Sequence, residues 1–80
     1  MTSSKVVVPK MVLANQIRAL RFAQREMTQQ DLADRIGVSR QTVNAIEGGK
    51  YSPSLEVAFR IARVFDQPLE GVFQCVVIRR

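Results

Sequence analysis

The chain has 80 residues, 46% of them hydrophobic, and twelve Lys and Arg against seven Asp and Glu give it a net charge of +5. That length supports one small core and excludes a second domain or a roomy enzyme cleft. The basic balance suits a polyanionic partner, while a single cysteine and the lack of histidine exclude an internal disulfide and a zinc site.

Residues 1–4 are small or polar, and Lys5 opens a β-branched run, Val6, Val7 and Val8, that Pro9 stops. This predicts a short strand inside an N-terminal extension, residues 1–10. From Met11 or Val12 the spacing turns helical, with Leu13, Ile17 and Leu20 on one face and Arg18, Arg21 and Arg25 on or near the other. Those arginines form a solvated face, or one of them pairs with Glu47. The turn that follows, Gln24-Arg25-Glu26-Met27, carries no glycine, and Met27 reads as a core plug ahead of the next cap.

Thr28 is a good N-cap, and Asp31 three residues later makes an approximate capping box. Leu32, Ala33 and Ile36 then share one face, and Gly37 stands where a helix commonly ends in a left-handed residue. Val38 re-enters the core, so the turn is short and stiff. Ser39 caps a second helix anchored by Val43 and Ile46. At about 100° per residue, Arg40, Gln41, Asn44, Ala45 and Gly48 point the other way. Arginine bonds guanine O6 and N7, glutamine and asparagine bond adenine N6 and N7, and small residues let a helix sit deep in a major groove.

Gly48 and Gly49 end that helix, Lys50, Tyr51 and Ser52 form a loop, and Pro53 and Ser54 start the next helix with Ser54 as its cap. Leu55, Ala58, Phe59, Ala62 and Phe65 follow the i, i+3, i+4, i+7 rule, and Val57, Ile61 and Val64 widen the stripe, so this helix is expected to be nearly surrounded. Arg60 and Arg63 take its remaining exposed edge. After Pro68 comes a helix of one or two turns, loosened or shortened by Gly71. Residues 74–80 hold an apolar β run, Cys75, Val76, Val77 and Ile78, closed by two arginines. Cys75 reads first as a small buried residue, with an intermolecular or redox-sensing thiol as the alternative.

Over residues 17–73, and most plainly in SRQTVNAIEGGKYSPSLEVAFRIARVF, the chain resembles the helix-turn-helix of the lambda repressor and Cro (XRE-type) family in its small single-domain branch. The resemblance implies an all-α fold, a five-helix domain over residues 11–73, here with short β strands at both ends. It implies a sequence-specific, double-stranded DNA-binding transcriptional regulator, with Arg40, Gln41 and Asn44 on bases and Thr42 on a base or a phosphate. Gln29, Ser39, Lys50 and Tyr51 would hold the DNA backbone, although Tyr51 could equally pack under its loop. Departures from the family are the turn before Thr28, which usually carries glycine, and the tail.

A lone two-stranded ribbon is marginal in water, so the terminal strands, Val6 to Val8 and Cys75 to Ile78, are expected to join two copies into a homodimer on a palindromic operator. Pairing within one chain is the alternative. Two other functions stay open: an antitoxin that regulates its own promoter and binds a toxin protein, and a scaffold that uses the fold for protein contact. No catalytic constellation is evident, because there is no histidine and no nucleophile has a base nearby, so no enzyme and no cofactor are expected. Residues 1–15 lack the apolar core of a signal peptide and no run could span a bilayer, so the expected location is cytoplasmic, with the nucleoid.

Overall fold

The computed structural model describes residues 10–78. The order of elements is β1 (Met11–Asn15), α1 (Ile17–Ala23), α2 (Gln29–Ile36), α3 (Arg40–Glu47), α4 (Leu55–Val64), α5 (Leu69–Val72) and β2 (Phe73–Val77). Five helices surround one core of Ile17, Met27, Leu32, Ile36, Val43, Ile46, Ile61, Phe65 and Val72 with smaller neighbours. At ~1.5–3 kcal/mol for each fully buried large apolar side chain, these residues supply the main favourable term. The fold is thus helical with a two-stranded antiparallel sheet, so all-α describes it only loosely.

The first helix is shorter than its periodicity predicts. Met11 to Asn15 form a strand, not the first helical turn, because β2 offers a partner with Met11 opposite Val77, Leu13 opposite Cys75 and Asn15 opposite Phe73. Asn15 then sets the start of α1 by accepting the Ile17 N–H at 3.1 Å, and the Gln16 N–H closes the junction onto the Val72 carbonyl. The strands of the chain's two ends therefore pair within one chain, through β1. The expected strand at Val6 to Val8 lies outside the described residues.

Two packing expectations are corrected. Leu55 and Phe59 were placed on the apolar stripe of α4, yet Leu55 is 66% exposed and Phe59 is also exposed. The buried side of α4 is Ala58, Ile61 and Ala62, with Phe65 just beyond, because α4 meets its neighbours along that side only. Cys75, expected to be buried, is exposed. It sits on the ribbon beyond the reach of the helices, with its Sγ 3.3 Å from Met11 Sδ.

The turn between α1 and α2 closes without a glycine. Arg25 and Glu26 both take left-handed backbone, φ 55° and 56°, a conformation that costs a non-glycine residue free energy. Met27 N–H on the Arg21 carbonyl and the buried Met27 side chain hold it closed.

Candidate nucleic-acid interface

α2 and α3 are fixed by signals readable in the sequence. Thr28 accepts the Asp31 N–H at 3.0 Å while its own N–H donates to the Asp31 carboxylate, a complete capping box. The Thr28 backbone N–H foremost, and the Thr28 hydroxyl beside the carboxylate next, hold the Asp31 carboxyl below its ordinary value of 3.8. Gly37 ends α2 at φ 76°, and the Arg60 guanidinium reaches across from α4 to donate to the Ile36 carbonyl at 3.1 Å. Arg60, on the exposed edge of α4 as expected, is also tied to the turn. Its other nitrogen pairs with Glu56 one turn back.

Ser39 caps α3 by accepting the Thr42 N–H at 3.1 Å, and the Ser39 and Thr42 hydroxyls share a hydrogen bond at 2.9 Å. Val43 and Ile46 are 1% and 2% exposed, which fixes the rotation of the helix. Arg40, Gln41 and Asn44 are consequently exposed, Thr42 and Ala45 are half-buried, and Lys50 and Tyr51 are exposed in the loop beyond Gly49. All the predicted contact residues lie on α3 itself, on its flanking cap and loop, or at the first position of α2.

One network joins these elements. Arg21 of α1, only 6% exposed, donates Nε and Nη2 to the Glu47 carboxylate and Nη1 to the Met27 carbonyl. Of the three arginines that the sequence offered to Glu47, Arg21 makes the pair. Gln29 Nε2 lies 3.2 Å from Glu47 Oε1 and 3.2 Å from Asn44 Oδ1, so it donates to both.

Two residues escaped the sequence reading. Asn15 Nδ2 donates to the Ile46 carbonyl at 3.0 Å, with Glu47 O at 3.4 Å, and so closes the C-terminal turn of α3 from 31 residues away. Nothing local marks that role, although an asparagine just before an apolar helical run is a cap signal for α1. Phe22, exposed, lies beneath two guanidinium groups, Arg18 at 5.5 Å and Arg21 at 5.3 Å from its ring centroid. It borders an open groove of about 770 Å³ that runs past Thr28 and Gln29 to Arg40.

A short stiff turn between two capped helices, the second presenting polar side chains and small residues outward, defines a helix-turn-helix protein of the transcriptional-regulator class. The family model described as helix-turn-helix matches residues 17–72. The chain belongs to that family, the XRE-type group that includes Cro/CI-like repressors.

Among named relatives, the chain is 57% identical over 47 residues to an uncharacterised helix-turn-helix-type transcriptional regulator of Methanocaldococcus jannaschii, covering 59% of this chain and 71% of that one. It is 43% identical over 61 residues to the uncharacterised regulator YgzD of Bacillus subtilis, 76% of this chain and 91% of the relative. The cryptic phage CTXphi transcriptional repressor RstR of Vibrio cholerae is 34% identical over 58 residues, 72% of this chain but only 51% of its own length. A crystal structure of a candidate DNA-binding protein from Bacteroides fragilis shares the fold, with TM-score 0.68 and 22% identity over 79% of this chain and all of that one.

Proposed function

We propose that this protein is a sequence-specific, double-stranded DNA-binding transcriptional regulator that acts as a homodimer. The observation that carries the reading is the orientation of α3: Val43 and Ile46 are buried, and Arg40, Gln41 and Asn44 stand free of the protein's own core. Their chemistry matches base edges in a major groove. Ser39, Lys50 and Tyr51 flank them, exposed, as groups that can hold a sugar-phosphate backbone, and Thr42 is a contact for a base or a phosphate. The start of α2 adds oriented N–H groups with a partial positive charge, favourable to a phosphate.

The dimer rests on the ribbon. Met11, Val12, Leu13, Val76, Val77 and Ile78 are each 41–49% exposed, so the outer half of the ribbon is apolar and uncovered on both faces. A second copy that adds its ribbon makes a four-stranded sheet, and twofold symmetry would place two recognition helices about one DNA turn apart, roughly 34–36 Å. No helix among the described residues is long and apolar enough to cross a membrane.

Selection of bound sequences from random duplex DNA tests both parts. An enriched palindrome with half-sites about one turn apart is expected, and recovery of unenriched sequence at low salt would leave only general polyanion binding. In sedimentation, charging the ribbon by Val12→Lys with Val76→Lys, which face each other across the strands, should dissociate the dimer.

A further inference from the structure

We propose that the DNA interface extends onto α1, where Arg18, seated on the ring of Phe22, holds a backbone phosphate and Phe22 is its positioning residue. The inference rests on the DNA-reading function above and adds a contact outside α2, α3 and the loop that follows them.

Arg18 and Phe22 of α1 share an open groove of about 370 Å³ with Asn44 and Gly48 of α3. Phe22 also borders the groove that runs to Arg40. Both side chains are exposed, and both lie on the side of the molecule that presents the outward face of α3.

Glu47 is the one carboxylate lining the groove of Arg18, and Arg21 already answers it with two N–H groups. Among the described residues the ion pairs are Arg21 with Glu47 and Arg60 with Glu56, so the Arg18 charge has no carboxylate partner. A guanidinium carries five N–H donors in a rigid fork and bonds a phosphate through two of them at once.

The ring decides where that fork stands. Arg18 and Phe22 are four residues apart on α1, and the guanidinium carbon lies 5.5 Å from the ring centroid. The face of the ring attracts a cation without consuming any N–H group, so a long side chain is ordered while its donors stay free. A carboxylate at position 22 would order Arg18 as well, but would occupy the donors that a phosphate needs. This accounts for a phenylalanine that is 53% exposed beside α3.

Duplex titrations over a range of salt, on preferred and random sequences, test the contact. Arg18→Ala should bind both duplexes more weakly, with a deficit that shrinks roughly threefold to fourfold between about 50 and 200 mM salt, as loss of one phosphate contact requires. Arg25→Ala removes the same charge from a groove that holds no residue of α3, and should leave the salt slope unchanged. Phe22→Ala should weaken binding in the wild-type background but no further in Arg18→Ala, and Phe22→Tyr, which keeps the ring, should bind as the wild type does. Equal slopes for the wild type and Arg18→Ala overturn the contact. An equal change in slope from Arg25→Ala overturns it too, since net charge alone would then explain the effect. A further loss from Phe22→Ala in the Arg18→Ala background shows that the ring acts by another route and removes its positioning role. If the wild type binds no duplex at any salt, the failure lies with the DNA-reading function itself, and this contact falls with it.

Discussion

The guanidinium of Arg21 on α1 grips the Glu47 carboxylate at the end of α3 through two N–H groups and gives a third to the Met27 carbonyl, 2.7 Å away. Both side chains are less than a tenth exposed. One pair therefore ties α1, the left-handed turn and α3 together.

Removing half of that pair should be costly. Arg21→Ala leaves a shielded carboxylate without its cation and should destabilise the fold by ~3–5 kcal/mol in urea denaturation. Replacing both partners by apolar residues, Arg21→Met with Glu47→Leu, should recover most of the loss, since a buried pair contributes little beyond an apolar isostere. Equal losses in the single and double variants would refute the pairing argument.

Asn15 serves two helix ends at once, accepting the Ile17 N–H and donating to the Ile46 carbonyl. Asn15→Ala should lower stability by ~1–2 kcal/mol, the worth of a cap and a part-buried hydrogen bond. Asn15→Asp keeps the acceptor for α1 but turns a carboxylate toward the carbonyl end of α3, so it should recover only part of the loss. Full recovery by aspartate in equilibrium unfolding would show that the bond to α3 contributes nothing.

Base contacts and backbone contacts should separate in binding measurements. Arg40→Ala should cost ~1–3 kcal/mol on the preferred sequence and relax specificity, whereas Lys50→Ala should weaken all sequences alike and flatten the salt slope by about one. Titrations of preferred and random duplexes at several salt concentrations read both effects. Equal losses on the two duplexes for Arg40→Ala would remove its base-reading role.

The capping box of α2 makes stability depend on acid. The carboxyl of Asp31 is depressed below 3.8 in the folded chain, chiefly by the Thr28 N–H and next by the Thr28 hydroxyl, so its contribution is fully present above the unfolded value. That contribution is lost as pH falls through the lower folded value. Thermal midpoints followed downward from about pH 5 should fall less steeply for Asp31→Asn than for the wild type. Parallel curves would show that the box is not coupled to folding.

Local chemistry was enough to place α2, α3 and the turn between them. Thr28, Gly37 and Ser39 act on backbone groups within a few residues of themselves, and Val43 and Ile46 fix the rotation of α3 by a three-residue spacing, so the turn and its outward face can be read from a short window. Tertiary structure decided what depended on a partner distant in the chain. Met11 to Asn15 have helical spacing but become a strand because Phe73 to Val77 supply hydrogen bonds that a helix start could not match. Leu55 and Phe59 satisfy the same periodic rule as Ala58 and Ala62, yet only the pair that meets neighbouring helices is buried. Arg21, not Arg18 or Arg25, meets Glu47, and Asn15 and Arg60 close helix ends 31 and 24 positions away. Periodicity states that a face exists and cap residues state where a helix ends. Which groups then meet across the core is settled only when the whole chain has folded around them.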